Sequence, residues 1–454
     1  MAGLFGLSID PKKYKSDFSQ ELFLGTFYEQ HLGEKYGGLA VKNSEDINIQ
    51  THKGLFRPMF GSEINEFKGT EGIGYCGSSR EPFLVQSQMG KFCGCFSGNI
   101  INNSQLTGTF MRSGHNFCRE GDDIEIIAKL IAQRSNLVDG IEHANTMITG
   151  AFSALILASE GIYAVRSSSG QWPMVIGEKK GATAVASESI SFSNLGFKIL
   201  RDLKPGEIVL LKNGKWKTVG QMTQGRIQIC SFVWVYTASP VSVFEGISAS
   251  EVRKRLGASL AKKDIESGFF PDIVVPIPDS GRFHAIGYHQ EFCRQANEGK
   301  IKKIPFYDEA LIKYPYAGRS FIPATDKERS FEANIKILSS GEKTYQGKEV
   351  VVCDDSIVRG VQTREGLIPK LRRLGIKGIH LRISNPELWS HCPWGKTTKK
   401  DEVLVAKYPK EKQRIEFLGV ESLKYNTIKD LVSAIGLPRE RLCVDCDLSQ
   451  VTVL

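Results

Sequence analysis

The sequence predicts two domains of different fold class, an α+β domain over residues 1–228 and an α/β domain over residues 229–454. A chain of 454 residues is too long for one ordinary hydrophobic core and long enough for two domains of roughly 200 residues each. The first part contains short alternating apolar segments and many glycines, whereas the second contains apolar strands separated by helical stretches. Alternation of strands and helices implies a parallel sheet covered by helices.

The first domain is predicted to consist of packed antiparallel sheets with covering helices. Segments such as 164–166 (Ala-Val-Arg) and 206–210 (Gly-Glu-Ile-Val-Leu) are short and are separated by glycine-containing turns. No internal repeat and no low-complexity linker occurs between the two parts.

The charge and the composition of the chain indicate which ligands the protein binds and where in the cell it is located. The formal net charge of +9 is spread along the chain without a basic block, which favours anionic small molecules over nucleic acid. The first eight residues lack a cationic start, and no apolar run of 18 residues occurs, so we expect a cytoplasmic protein that does not engage a membrane. Ten cysteines without a secretion signal indicate thiols or metal ligands in place of disulfides.

The most informative stretch is 350–364, which reads Val-Val-Val-Cys-Asp-Asp-Ser-Ile-Val-Arg-Gly-Val-Gln-Thr-Arg. The apolar run 350–353 is too continuous for a half-exposed strand and is typical of a central parallel strand. Asp354 and Asp355 follow at its carboxyl end, where open α/β sheets bind ligands. The polar loop leading to a predicted helix near Thr363 can direct backbone N–H groups at a phosphate, leaving the carboxylates for ribose hydroxyls and a divalent cation.

Two more segments of the second domain carry polar groups. Residues 278–281 (Pro-Asp-Ser-Gly) follow the apolar strand 273–277, and small polar residues at a strand end can wrap a pyrophosphate with their amides, although such a turn is also an ordinary one. A cationic segment begins near Lys313 and extends to Lys336. Its cations either face solvent or meet a bound phosphate.

The run Asp-Asp-Ser-Ile-Val-Arg-Gly at 354–360 resembles the phosphoribosyl pyrophosphate (PRPP) signature of type I phosphoribosyltransferases. With these particular residues it resembles the signature of the amidophosphoribosyltransferase family, which catalyses the first step of purine synthesis. In that family residues 278–281 match the pyrophosphate loop and 311–322 match a flexible flap. Two threonines that are usual after the glycine are replaced by Val361 and Gln362, which removes hydroxyl donors to the 5′-phosphate but leaves the backbone donors.

The resemblance implies a role for each matching residue. The catalytic group comprises Asp354, Asp355, Arg319 and Lys313. The PRPP-binding group comprises Asp279, Ser280, Gly281, Ser356, Arg359, Gly360, Gln362, Thr363, Arg329 and Lys336. Mg²⁺ is expected near Ser280, Asp354 and Asp355. The flap pattern is incomplete, because Ala333 and Asn334 stand where Val-Arg or Val-Lys is usual.

The first domain resembles the family's N-terminal nucleophile (Ntn) glutaminase, an αββα sandwich in which a processed cysteine attacks glutamine with its own α-amino group as base. Residues 3–6 (Gly-Leu-Phe-Gly), 72–75 (Gly-Ile-Gly-Tyr), 97–102 and 150–166 follow the family pattern. The resemblance therefore implies the glutaminase scaffold.

The reactive groups of that glutaminase are degenerate here. Ala2 occupies the place of the cysteine, and Ser97 replaces the asparagine of the oxyanion hole, where one lost donor costs about 10²- to 10³-fold in rate. Gly77 stands where an arginine grips glutamine's carboxylate, and Leu32 replaces another arginine. The family's glycine and the acid that holds the substrate's amino group survive as Gly98 and Asp123. We expect no glutaminase activity.

Four cysteines of the second domain form a separate set: Cys230, Cys392, Cys443 and Cys446. Four thiolates suit a [4Fe-4S] cluster or tetrahedral zinc equally on chemistry alone. Their contexts resemble those of the cluster-containing branch of the family, which favours [4Fe-4S], in a structural role, with zinc as the alternative.

The resemblance implies transfer of phosphoribosyl from PRPP to ammonia or an amine, which a separate protein could supply. It also implies Mg²⁺, a homo-oligomer, and purine nucleotides as candidate regulators. The alternative is a regulatory or scaffolding pseudoenzyme that binds PRPP or nucleotides without turnover. The flap cations favour the enzyme, whereas Val361, Gln362 and the thinned flap favour the pseudoenzyme.

Overall fold

The chain forms two compact units. The computed structural model describes residues 2–43, 46–60, 67–119, 121–223, 225–314, 337–339, 343–392, 394–395 and 402–449. The first unit comprises residues 1–230, 241–247 and 440–443, and the second comprises residues 231–240, 248–439 and 444–454. The first unit thus includes two short segments, 241–247 and 440–443, that follow its main segment in the sequence.

Strands dominate the chain as far as Cys230. They are β1 (Gly3–Ile9), β2 (Tyr36–Lys42), β3 (Ile47–Lys53), β4 (Glu71–Gly77), β5 (Phe83–Ser87), β6 (Gly90–Ile100), β7 (Gly150–Ala158), β8 (Gly161–Arg166), β9 (Val175–Lys179), β10 (Ala182–Ala186), β11 (Lys198–Asp202), β12 (Glu207–Lys212), β13 (Lys215–Gln221) and β14 (Ile229–Cys230). The α-helices are α1 (Phe18–Tyr28), α2 (Phe56–Phe60), α3 (Asn103–Arg112), α4 (Asp123–Ala132), α5 (Leu137–Met147) and α6 (Ile190–Leu195).

Helices and strands alternate in the remainder. The strands are β15 (Val243–Phe244), β16 (Ile247–Ser248), β17 (Ile273–Pro276), β18 (Phe306–Tyr307), β19 (Leu311–Lys313), β20 (Ile337–Ser339), β21 (Glu349–Asp354), β22 (Gly378–Ile383), β23 (Ser422–Tyr425) and β24 (Leu442–Cys443). The α-helices are α7 (Ala249–Glu266), α8 (Arg282–Asn297), α9 (Ile368–Arg373), α10 (Leu404–Lys407), α11 (Glu411–Leu418) and α12 (Ile428–Ile435). Wider π-type turns span Val233–Thr237 and Gln362–Leu367, and 3-10 turns span Gln30–Leu32, Lys343–Tyr345, Arg439–Arg441 and Asp445–Asp447.

Two antiparallel sheets face each other in the first unit. One has the strand order β11-β9-β10-β1-β4-β2-β3 and the other β13-β12-β8-β7-β6-β5. Their common core includes Leu4 and Ile73 from the first sheet and Leu155 and Ala164 from the second. Alternate side chains of each strand point into this core because successive residues of a strand face opposite sides.

Helices cover the outer faces of both sheets. Phe18 and Leu22 of α1 lie against Gly72 of the first sheet, and Ile127 and Ile131 of α4 share an apolar cluster with the outer face of the second. The resulting four layers confirm the predicted αββα sandwich.

A five-stranded parallel sheet of order β18-β17-β21-β22-β23 forms the centre of the second unit. On β21, Val350 and Val352 face one apolar cluster, which includes α9, while Val351 and Cys353 face another, which includes α7 and α8. Both faces of the strand are therefore covered, which explains the continuous apolar run and confirms the predicted parallel sheet.

A buried ion pair crosses the second of these faces. The carboxylate of Asp264 on α7 accepts hydrogen bonds from Arg382 Nε at 2.6 Å and Nη2 at 2.9 Å. Tyr288 donates to the same carboxylate at 2.6 Å, and Lys424 Nζ lies 2.9 Å from it. The fork of the guanidinium thus matches the carboxylate in two bonds, and both groups are buried.

Among the described residues, none of the helices combines the length and the apolar character that crossing a bilayer requires.

Replacing Asp264 with Ala should lower the free energy of unfolding by about 3–5 kcal/mol, because Arg382 would remain buried without its counter-charge. Urea denaturation of the whole chain measures the loss. The matched control is Glu298→Ala, since Glu298 pairs with Arg294 on the exposed end of α8 and its removal should change little. Equal losses in the two variants would contradict the role given to the buried pair.

Candidate functional site

Two loops of the second unit begin at the same edge of the parallel sheet. Strands β17 and β21 pair in parallel with Pro276 opposite Cys353. Ile277 N continues the pairing by donating to Cys353 O at 2.9 Å. The loop 278–281 and the loop that begins at Asp355 therefore leave adjacent strands at the carboxyl edge, the position that ligands occupy in open α/β sheets.

Close approach of the backbones requires a glycine at position 281. A Cβ atom there would lie 2.3 Å from Cys353 O and 2.8 Å from Ile277 N. Gly281 N donates to Ile277 O at 2.8 Å, and α8 begins at the next residue. The N-terminus of this 16-residue helix consequently faces the loop.

The structure brings the predicted carboxylates together with Ser280. Asp354 and Asp355 are buried, Asp355 N donates to Asp354 Oδ1 at 2.8 Å, and Ser356 Oγ donates to Asp355 Oδ2 at 2.6 Å. Burial and the neighbouring Asp355 charge raise the pKa of Asp354, while hydrogen bonding from Ser280 acts in the opposite direction. Two buried acids side by side form a site that favours a cation.

Asp279 contacts two cations. Lys313 Nζ on β19 lies 3.2 Å from Asp279 Oδ2, and Arg282 Nη1 lies 3.4 Å from Oδ1. Arg282 also donates two hydrogen bonds of 2.9 Å to Glu309. Sequence reasoning missed Arg282 and Glu309; the arginine that directly follows 278–281 was the available signal.

The loop after the carboxylates turns at Gly360, whose φ is +76°. Arg364 N donates to Gly360 O at 2.9 Å, and the π-type turn Gln362–Leu367 follows, which includes the buried Thr363. Arg359, predicted to contact PRPP, forms an ion pair with Glu402. Glu402 was not among the sequence-predicted residues.

Three of the predicted flap cations, Arg319, Arg329 and Lys336, lie outside the described residues.

In the first unit, Ala2 lies at the start of β1 and is buried. Its backbone N–H donates to Ser97 Oγ at 2.9 Å. Ser187 Oγ donates to Ala2 O at 3.2 Å and accepts from Leu4 N at 3.0 Å. Two serine hydroxyls thus fix the backbone at the position where the resemblance expects a nucleophile.

The other predicted residues of the degenerate glutaminase lie on the adjoining elements. Leu32 ends the turn Gln30–Leu32, and a Cβ on the next residue, Gly33, would lie 2.3 Å from Gly77 Cα. Gly98 has φ of +157° and lies against Ala151 O.

Asp123 begins α4 and is buried. Its carboxylate accepts hydrogen bonds from Ile100 N at 3.3 Å and from the Asn103 amide. The acid that the resemblance assigns to the substrate's amino group is therefore engaged by its own chain.

Glu81 is a buried acid that sequence reasoning missed. Ser79 Oγ donates to its Oε1 at 2.8 Å, and Phe96 N donates to its Oε2 at 2.7 Å. Burial raises the pKa of Glu81 to about 8. Nothing local in Arg-Glu-Pro signals this environment, because β6 supplies one of the two donors.

The four predicted cluster ligands fall in both units. In the first unit, Cys230 is the register partner of Cys443, and Gln171 contacts both residues, accepting from Cys230 N at 3.3 Å and donating to Cys443 Sγ at 3.6 Å. In the second unit, Cys446 O accepts from Trp389 N and Ser390 N.

Burial raises the pKa of the Cys392 thiol. In the part of the chain that the structure describes, no group of three or more His, Cys, Asp or Glu side chains is arranged to hold a metal ion.

Comparisons with known proteins cover both units. The family model described as "Glutamine amidotransferase domain" matches residues 74–194. The chain is 33% identical to the amidophosphoribosyltransferase of Methanothermobacter thermautotrophicus over 98% of this chain and 93% of that protein. It is 31% identical to the amidophosphoribosyltransferase of Methanocaldococcus jannaschii, with coverages of 98% and 96%.

A solved structure gives the same result. The glutamine PRPP amidotransferase of Bacillus subtilis complexed with ADP and GMP superposes with a TM-score of 0.86 at 28% identity, covering 99% of this chain and 97% of that one.

The acidity of Glu81 predicts a pH dependence. The folded state keeps this carboxyl proton up to about pH 8, whereas the unfolded chain releases it near the ordinary pKa of 4.5. The folded state binds more protons between these values, so stability should fall as pH rises through this range. Glu81→Gln should flatten the dependence of the unfolding temperature on pH between 5 and about 8.

Asp202, whose pKa burial raises to about 7, is present in both proteins, so the difference between the two profiles isolates Glu81. Glu160→Gln, at an exposed position, is the control. Parallel profiles for wild type and Glu81→Gln would show that Glu81 is ionised in the folded state.

Proposed function

Since the chain belongs to the amidophosphoribosyltransferase family, we propose that it transfers phosphoribosyl from PRPP to ammonia or an amine and has no glutaminase activity of its own. The observation that carries the proposal is the placement of Asp354, Asp355 and Ser280 at one edge of the parallel sheet. We assign the transferase to residues 229–454 and the glutaminase-like scaffold to residues 1–228.

In the proposed reaction the amine nitrogen attacks C1 of PRPP. A C1–N bond forms, the C1–O bond to pyrophosphate breaks, pyrophosphate leaves with the electron pair, and the nitrogen loses a proton to solvent. Catalysis of such a reaction depends mainly on positioning of the two reactants and on electrostatic stabilisation of the leaving group, because side chains need to transfer few protons.

The donor set at the sheet edge fits Mg²⁺. This ion takes one or two carboxylates and completes its shell with substrate phosphates and water. Asp354, Asp355 and Ser280 would hold it, and the ion would neutralise charge on the departing pyrophosphate. The N-terminus of α8 begins beside this site and favours the negative charge of the pyrophosphate.

The loop 278–281 and the loop that begins at Asp355 would contact the rest of PRPP. Backbone N–H groups between Ser356 and Thr363 suit the 5′-phosphate even though Val361 and Gln362 lack the family's hydroxyls. Lys313, 3.2 Å from Asp279, supplies a cation at the pyrophosphate side. We assign the same task to Arg319, Arg329 and Lys336.

Residues of the first unit support the proposed absence of glutaminase activity. Ala2 has no thiol, and the Ser97 hydroxyl is occupied in accepting from Ala2 N at 2.9 Å. Gly77 offers no cation to a carboxylate. Nitrogen would therefore arrive as free ammonia or from a separate protein.

Four thiols, Cys230, Cys392, Cys443 and Cys446, are the proposed ligands of a [4Fe-4S] cluster, with zinc as the alternative. At one of the four, Gln171 Nε2 donates to Cys443 Sγ at 3.6 Å, a bond that would stabilise a thiolate. The cluster's role would be structural.

A second candidate function is a regulator or scaffold that binds PRPP or purine nucleotides without turnover. The ion pair of Arg359 with Glu402 favours it, because this arginine is then engaged by the protein itself. The similar structure from Bacillus subtilis contains ADP and GMP, and purine nucleotides are the regulators we propose for this chain. We also propose that the protein forms a homo-oligomer and is located in the cytoplasm.

Pyrophosphate release from PRPP and Mg²⁺ tests the proposal directly. Release should increase with ammonium and should not respond to glutamine, and no glutamate should form. Ala2→Cys alone should restore little glutaminase activity, because the donors around it would still be missing. Glutamine-dependent release by wild-type protein would overturn the assignment, and absence of release under all conditions would leave the regulator.

Asp355→Ala should weaken PRPP binding in the presence of Mg²⁺ by about 10- to 100-fold, because charge-assisted contacts contribute roughly 1.5–3 kcal/mol each. Titration calorimetry gives the affinity. Glu416→Ala removes an exposed carboxylate from α11 and serves as the control. If both variants bind like wild type, the carboxylate pair does not hold the ligand.

Anaerobically purified protein should be brown and contain about four irons per chain. Replacing Cys443 with Ser should reduce soluble yield, since metal binding contributes to folding free energy. Replacing Cys118, an exposed cysteine of the first unit, with Ser should not. Elemental analysis that finds zinc without iron would reassign the site.

A further inference from the structure

The ring of Tyr75 lies across Gly77 on strand β4. An ideal Cβ at residue 77 would lie 2.0 Å from Tyr75 Oη and 2.2 Å from Tyr75 Cζ. These atoms belong to the far end of a ring that is 1% exposed and packed in the core between the sheets. The space in which a side chain at position 77 would begin is therefore already filled by the protein.

A chain of hydrogen bonds holds the ring in this place. Tyr75 Oη lies 3.1 Å from Ser79 Oγ and accepts from Ser79 N at 3.2 Å. Ser79 Oγ in turn is hydrogen-bonded to Glu81 Oε1 at 2.8 Å, so the chain runs from the tyrosine hydroxyl through Ser79 to Glu81. Phe96 N closes the chain by donating to Glu81 at 2.7 Å. A buried chain in which each of these groups has a partner restricts the ring to one orientation.

This arrangement lies beside the start of β1. Strand β4 pairs with β1 so that Cys76 is opposite Gly3, and the next register position brings Gly77 towards Ala2. The hydrogen-bond chain ends at Phe96, the residue before Ser97, whose hydroxyl accepts from Ala2 N. Tyr75 thus fills the surroundings of the residues that replace the glutaminase machinery.

We propose that Tyr75, held by Ser79 and Glu81, is an internal cover that excludes an amino-acid carboxylate from the site next to Ala2. This inference rests on the proposed lack of glutaminase activity and gives it a steric cause. The Tyr75 cover closes the site to the substrate, so the missing thiol is not the sole defect. Introducing a cation at position 77 is then insufficient to restore binding, because its side chain cannot enter while the ring is present.

A double-mutant cycle on thermal stability tests the geometry without reference to activity. Gly77→Ala should lower the unfolding temperature by about 5 °C in the Tyr75 protein, because overpacking forces the ring to move. In a Tyr75→Ala background the same change should cost no more than Gly225→Ala, since Gly225 has open space around its Cβ position.

Tyr75→Phe keeps the ring and should keep most of the penalty, which separates the ring from its hydroxyl. Where Tyr75→Ala does not fold, Tyr75→Val fills part of the cavity and serves as the alternative background. An equal cost of Gly77→Ala with and without the ring would overturn the Tyr75 cover.

Binding of L-glutamine, measured by calorimetry at millimolar concentration, tests the consequence. All proteins carry Glu81→Gln so that an introduced arginine does not pair with Glu81, and the side-chain oxygen of the glutamine can still accept the bond from Ser79. Gly77→Arg alone should show no binding, whereas Gly77→Arg with Tyr75→Ala should bind detectably, a gain of at least about 10-fold from one charge-assisted contact. Equal binding by these two proteins, or by neither, would refute the proposal.

The same preparations separate this inference from the proposed function. Ammonia-dependent pyrophosphate release should be unchanged in every variant of residues 75 and 77. Glutamate formation by wild-type protein would overturn the proposed function, while a cycle without coupling would overturn the Tyr75 cover and leave the ammonia-dependent reaction intact.

Discussion

The parallel pairing of β17 with β21 is the constraint on which the candidate site depends. The register that sets Pro276 opposite Cys353 continues through the bond from Ile277 N to Cys353 O, and it fixes where both loops start. Gly281 then packs directly on Cys353 O. A shift by one residue would draw Asp354 further into the apolar interior between the covering helices, so burial of the apolar run 350–353 favours the observed register. Placement of the carboxylates is thus a consequence of core packing.

In the first unit, strand pairing and side-chain hydrogen bonds together fix the backbone around Ala2. Strand β1 lies inside its sheet between β10 and β4, so the start of the chain is fixed from both sides. Serine hydroxyls then satisfy the backbone around Ala2. The bond between Ala2 N and Ser97 Oγ engages the two positions to which the resemblance assigns a nucleophile and an oxyanion-hole donor.

The parallel sheet of the second unit and the carboxylates at its edge were accessible from sequence because their signals are local, whereas the αββα sandwich was implied by the family resemblance. The run 350–353 has no polar break, and its two acids follow at once, so strand, burial and site position all derive from one short segment. The roles of Tyr75, Glu81 and Glu402 were not accessible. Each is defined by a partner supplied by tertiary structure or by the path of a neighbouring backbone: the ring over Gly77, the amide of Phe96 and the guanidinium of Arg359. Sequence patterns describe periodicity within an element, whereas the contacts of Glu81 and Glu402 join different segments of the chain. The orientation of the Tyr75 ring over Gly77 of the same strand depends on burial of the ring between the sheets.

The parallel pairing of β14 with β24 has a consequence for synthesis of the chain on the ribosome. Ile229 and Cys230 find their partners Leu442 and Cys443 only after the whole five-stranded sheet has been translated. Until then the nascent first unit carries an unpaired strand edge, which is a surface for wrong pairing. The pairing of β14 therefore waits for residues 442–443 to be synthesised, although most residues of the first unit leave the exit tunnel much earlier.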